Sequence, residues 1–113
     1  MRITKENINE FIKGITMKCD NMGITHIDYI PDNIIFLYCH NNNLTSLPNL
    51  PDRLRYLQCN NNNLTSLPKL PDLLISLLCS NNNLSYPITI ENLKEHNKLL
   101  KRKEILEKIR FIH

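Results

Sequence analysis

The chain has 113 residues, a formal net charge of +3, 42% hydrophobic and 22% charged residues, a balance that fits one globular domain over residues 1–113 and excludes a disordered polyelectrolyte. The opening MRITKENINEF carries charges where a secretory leader needs an apolar run, and no run of about 18 apolar residues follows, so an intracellular, cytoplasmic protein is expected. Its four cysteines are then expected to be reduced thiols rather than a disulfide framework.

In chain order, residues 1–14 read as an N-terminal cap. Thr4 is placed as a helix N-cap, Ile8, Phe11 and Ile12 share a helical face, and Gly14 stops the helix, with a first strand as the alternative. Over residues 15–86 a twenty-residue period takes over, marked by Cys19, Cys39, Cys59 and Cys79, and internal periodicity outranks any local motif. Leu37, Leu57 and Leu77 lie two residues before the later cysteines, with Met17 as the first counterpart; Ile24, Leu44, Leu64 and Leu84 follow the turns. About four units result, the first degenerate: Gly14 replaces the opening apolar residue, and Met22 stands where later units carry Asn42, Asn62 and Asn82.

Within each unit, residues such as Leu57-Gln58-Cys59 suit a short strand in which Leu57 and Cys59 point inward while Tyr56, Gln58 and Asn60 face outward. Asn42, Asn62 and Asn82 are read as an inward ladder satisfying backbone groups. The flanking asparagines are read as exposed turn residues that tolerate unusual backbone angles. At Pro87 the rhythm stops and residues 87–113 read as a C-terminal capping helix, with Thr89 as cap and Ile88 with Leu93 as a hydrophobic staple. Leu93, Leu100, Leu106 and Ile109, with Leu99 and Ile105 alongside, form an apolar stripe expected to close the open end of the core.

The third unit, Leu54-Arg-Tyr-Leu57-Gln-Cys59-Asn-Asn-Asn62-Asn-Leu64, matches L-x-x-L-x-L-x-x-N/C-x-L and so resembles the leucine-rich repeat, with likeness extending from Met17 to Tyr86. The TSLPKLPD segment is similar to the short repeats of bacterial secreted effectors. The asparagine-rich, cysteine-bearing version also resembles leucine-rich repeat proteins of giant DNA viruses such as mimivirus, and the choice between these sources stays open. The resemblance implies a short right-handed α/β repeat solenoid with a parallel concave sheet, an extended polyproline-like convex side and helical caps at both ends. It also implies a host-cell location and a host protein as partner.

No catalytic constellation is legible, and the expectation is a non-enzymatic protein. Cys39 and His40 are neighbours whose side chains face opposite ways along a strand, which defeats a thiolate–imidazole pair. Cys39, Cys59 and Cys79 form a straight row through an apolar interior rather than a tetrahedral set, so packing is expected and no metal or cofactor. Asp32, Asp52 and Asp72 recur at the joins after proline, where turn formation is the stronger reading. Effector repeats of this type accompany a large ubiquitin-ligase domain for which this chain has no room; a recognition component of a separate ubiquitin-ligase assembly is retained as one alternative.

The expected function is protein–protein interaction through the outward residues of the strands. Phe36, Tyr38, His40, Tyr56, Gln58 and Leu78 are the candidate contacts, aromatic at the centre and polar at the rim. A second address is the helix, which holds the whole net charge: after residue 90 there are seven basic and four acidic groups, while residues 1–90 balance. Lys101, Arg102 and Lys103 would make a basic adaptor for nucleic acid or an anionic membrane, a partner class ranked below protein because the cluster is short. Pairing of the open edges with another copy stays open.

Overall fold

The computed structural model describes residues 1–112; His113 lies outside them. Eight regular elements and one 3-10 helix follow in order: β1 (Arg2–Ile3), the 3-10 helix (Ile8–Phe11), β2 (Ile12–Lys13), β3 (Thr16–Lys18), β4 (His26–Ile27), β5 (Phe36–Tyr38), β6 (Tyr56–Gln58), β7 (Ser76–Leu78) and α1 (Leu93–Ile112). The strands form a five-stranded sheet in the order β2-β3-β5-β6-β7 and a separate two-stranded parallel sheet, β1-β4.

This corrects the expected architecture. The protein is a compact α/β globule with a mixed five-stranded sheet, a small parallel sheet and a single C-terminal helix, not a repeat solenoid with a concave, wholly parallel sheet and a helical cap at each end. The leucine-rich-repeat resemblance is thus one of sequence pattern. A repeat pattern is silent about residues outside it, and in so short a chain those residues decide the architecture. At the N-terminus the expected helix shrinks to four residues, because Thr4 does not cap it. Instead Asn7 Oδ1 accepts from the Thr4 amide at 2.8 Å, and the chain turns into β2. Gly14, read as a helix stop, is the first residue of a two-residue hairpin turn joining antiparallel β2 and β3, with Ile12 opposite Met17 and Lys13 opposite Thr16. Its φ of 63° is the left-handed conformation such a turn needs at that position.

The twenty-residue spacing appears as strand register. Thr16, Phe36, Tyr56 and Ser76 are partners in turn, as are Met17, Leu37, Leu57 and Leu77, and then Lys18, Tyr38, Gln58 and Leu78. Met17, Leu37, Leu57, Cys19, Cys39 and Cys59 are fully buried beneath the sheet, together with Ile24, Leu44, Leu64, Leu54 and Leu70. Neighbouring units cover one another's leucines, which no single unit could do alone. Among the described residues β7 has no further partner, and Leu77, Cys79 and Leu84 at that end are only partly buried.

Helix α1 does not close that end. Ile88 and Leu93 are buried as a staple requires, and Thr89 and Asn92 exchange reciprocal side-chain bonds to each other's amides just before the helix. Beyond Leu100, however, residues 101–110 are all exposed. Leu106 is 60% accessible, and Leu99, Ile105 and Ile109 are also exposed. The apolar spacing is real, but the helix leaves the body after its first two turns. No helix among the described residues is long and apolar enough to cross a membrane.

Candidate functional site: the outer face of the sheet

Strand alternation carries the even-numbered residues of β3, β5, β6 and β7 to the face opposite the core. Equivalent residues on adjacent parallel strands lie about 4.8 Å apart, so aromatic residues twenty apart stand side by side and can stack. Phe36 and Tyr56 do so, with ring centroids 4.6 Å apart and planes within 3°; Tyr38 joins with its centroid 6.3 Å from Phe36. All three rings are half-buried, resting on the sheet while keeping one surface in solvent. Gln58 and Leu78 continue the Tyr38 row, and Leu78 is 48% exposed.

His40 lies at one margin of this patch. Its Nε2 is 3.7 Å from Asp20 Oδ2, while Lys18 donates to Asp20 Oδ1. The Lys18 hydrogen bond is the largest influence holding the Asp20 carboxyl below its ordinary value. His40 Nδ1 and Asn60 Oδ1, one strand apart, are buried and have no hydrogen-bond partner among the described residues. Asp20 and Lys18 belong to the degenerate first unit; Asp20 comes beside His40 because it lies one period earlier, and Lys18 binds Asp20.

Beneath the patch, the asparagines hold the strand ends rigidly. Asn62 Oδ1 accepts from the Leu44 amide at 3.0 Å, and its Nδ2 donates to the carbonyls of Cys39 and Cys59, each at 3.1 Å. Asn42 binds the Met22 and Ile24 amides and the Cys19 and Cys39 carbonyls in the same manner, and Asn82 repeats it for Leu64, Cys59 and Cys79. The residue one place before each, and its counterpart in the first unit, turns the backbone: Asn21, Asn41, Asn61 and Asn81 all have φ near 55°, a left-handed conformation that asparagine tolerates better than most residues. A second, outer ladder links them, with Asn81 donating to Asn61 and Asn61 to Asn41, each at 2.7 Å.

Three of the four thiols are sealed below, and Cys79 is partly buried. Burial pushes Cys19 and Cys59 up to about 12 and raises Cys39 well above the ordinary thiol value. They are therefore held as neutral thiols with little nucleophilic character at neutral pH. Among the described residues no three His, Cys, Asp or Glu side chains gather as a metal site would require. Cys39 sits in the core while His40 faces outward toward Asp20, so the two do not act on one another.

Lys101, Arg102 and Lys103 lie on the exposed part of α1, away from the aromatic patch's strands in sequence and bonding. Sequence reasoning missed what anchors this helix. His96 is 2% exposed; its Nε2 faces the Pro68 carbonyl at 3.0 Å and its Nδ1 the Tyr86 hydroxyl at 2.7 Å. Asn97 exchanges two 2.8 Å bonds with the Leu70 backbone, as a strand neighbour would. The available signal was position: His96 lies three residues after Leu93 and four before Leu100, on the buried side of the helix. Comparison of the chain with family models, with curated proteins and with solved structures gave no match.

Proposed function

We propose that this chain is a non-catalytic protein-interaction module whose working surface is the outer sheet face centred on Phe36, Tyr38 and Tyr56, with His40, Gln58 and Leu78 around it. The observation that carries this reading is the parallel Phe36–Tyr56 stack at 4.6 Å, beside Tyr38, on a half-exposed sheet. Large, rigid aromatic groups at the centre of a patch with polar neighbours are what binding hot spots are made of. The floor beneath them is fixed by the asparagine bonds and the buried leucines, so little ordering entropy is lost on binding. The partner is a protein, recognised by apolar contact with the rings.

The test is affinity capture from cell lysate, comparing the native chain with Tyr38→Ala/Tyr56→Ala whose folding has been verified by circular dichroism. A protein retained by the native chain and lost by the variant is expected; equal retention by both refutes the assignment of this face. A second reading is favoured by one observation: residues 101–110 project exposed with the basic cluster Lys101, Arg102 and Lys103. It predicts binding to nucleic acid or anionic vesicles that weakens steeply with salt and is lost on neutralising those three residues. The intervening Glu104 and Glu107 dilute that field, and the sheet face ranks first.

A further inference from the structure

The unpartnered edge of the sheet differs from the unit beside it, although the second unit already carries Ile35 where the fourth has Ile75. Along the register, positions that carry Arg53, Arg55 and Gln58 in the third unit become Leu73, Ile75 and Leu78 in the fourth. These three are 65%, 59% and 48% exposed. From Leu73 to Ile90 the chain contains no charged residue at all. Natural edge strands are ordinarily protected from pairing by lysines, prolines or inward charges; β7 has none of these. It borders an open cleft of about 810 Å³ between Ile75–Asn82 and Leu84–Glu91.

The hydrogen-bonding groups left at this edge can be read from the preceding joins. Ile35 O accepts from Arg55 and Tyr56, and Arg55 O accepts from Ile75 and Ser76, so Ile75 O is the group left open. Cys19, Cys39 and Cys59 donate their amides to Tyr38, Gln58 and Leu78, so the Cys79 amide is left open too. By the alternation of a strand, both the amide and the carbonyl of Leu77 between them face the same way.

We propose that β7 pairs antiparallel with β7 of a second copy about a two-fold axis through Leu77. In that register the Leu77 amide and carbonyl of one copy meet those of the other, and the Cys79 amide of each meets the Ile75 carbonyl of the other. The open groups of this edge are thus complementary to themselves in reverse order. Leu77 lies against Leu77, Leu78 beside Ser76 of the second copy, and apolar side chains close the cleft. A two-fold brings every charge near the axis against its own copy, so an uncharged span is the composition a self-pairing edge requires. The opposite edge of the sheet offers no competing site for head-to-tail growth, because β2 covers β3 as an antiparallel strand and carries Lys13. The pairing shares Leu78 with the aromatic patch but does not rest on that reading, since the open backbone groups of β7 carry it.

Sedimentation velocity of the full chain over about 1 µM to about 1 mM covers the dissociation constants of interfaces at the small end of the size range. A monomer–dimer equilibrium is expected. Leu73→Arg/Ile75→Arg restores the residues the preceding unit carries in the same places, so it keeps the fold while replacing apolar side chains of the interface with two positive charges per copy. It should weaken the dimer about tenfold, mainly through lost apolar contact. Leu78→Lys, at a position filled by Gln58 one unit earlier, gives a second, milder disruption in the same direction. In the native chain, hydrogen exchange at the Leu77 and Cys79 amides should slow with increasing concentration. A monomer throughout the range overturns the proposal. So does a dimer that both edge variants leave intact, including one that Leu106→Arg dissociates and that therefore lies on the exposed side of α1.

Discussion

Replacing Asn62 with alanine isolates the contribution of one side chain to the join between two units. The substitution removes the acceptor for the buried Leu44 amide and the donors to the Cys39 and Cys59 carbonyls. An orphaned buried amide costs about 1–3 kcal/mol, and each carbonyl that loses one of its partners costs less, since it has a second lone pair. The sum is about 3–5 kcal/mol, a large share of the ~5–15 kcal/mol that holds a small domain together. Asn82 makes the same three kinds of bond but is only partly buried, with its unit open to solvent; water replaces part of what is lost, and Asn82→Ala should cost about half as much. Urea unfolding followed by circular dichroism, with the native chain as reference, gives both values. The reasoning is refuted if Asn62→Ala costs less than about 1 kcal/mol, or no more than Asn82→Ala.

Asn61→Ala should destabilise by about 1–2 kcal/mol, because alanine resists the φ of 56° held there, whereas Asn61→Gly should cost less; equal losses in urea unfolding would trace the effect to the outer amide ladder alone. Alkaline pH should loosen the fold through the thiols. Cys59 is raised from 9.0 to about 12, so its contribution is complete below the ordinary value and is lost as pH rises from there toward the folded one, by about 1.4 kcal/mol per pH unit. Urea midpoints at pH 8 and at about pH 10 should separate for the native chain and converge partly for Cys59→Ala; identical separations would show that Cys59 is not the source. Finally, His96→Ala removes the link between Pro68 and Tyr86. Amide exchange at the start of α1 should accelerate at least tenfold while Leu37 and Leu57 change less; uniform acceleration would mean that the helix is not a separately fastened piece.

What could be read from the amino acids was the interior of the strand array. A fixed twenty-residue interval places Leu37, Leu57 and Leu77 in one row and Phe36 and Tyr56 in another, because parallel strands in register leave no freedom in the pairing. The inward asparagines were legible for a similar reason, since the backbone they serve recurs with them. The ends were not. Ile8, Phe11 and Ile12 have helical spacing, but a 3-10 turn followed by a hairpin strand buries Ile8 and Phe11 just as well, and only the pairing of Ile12 with Met17 distinguishes the two. Likewise Leu99, Ile105, Leu106 and Ile109 have the spacing of a packed helix; periodicity describes the side of a helix, not whether another surface is there to receive it. His96 was marked only by its place on the buried side of the helix and Asn97 by nothing local, because the carbonyls they meet arrive from Pro68 and Leu70. As for the candidate site, the membership of the aromatic row and the neighbouring places of Asp20 and His40 were legible from the period, while the near-parallel contact of the rings was not, since it depends on rotamers.

The constant interval between partnered strands also sets how the molecule comes apart. Every parallel join from β3 to β7 closes a loop of the same length, so the chain-closure entropy is the same at each step, and differences in local opening free energy must come from side chains. The fourth unit has the least to offer, with Leu77, Cys79 and Leu84 only partly buried. Opening therefore starts at β7 and runs backward toward β3, giving a graded series of hydrogen-exchange protection instead of one shared value. A ligand or second chain seated on that edge suppresses the first step of the series, and so slows opening along the whole array from a contact made at one end.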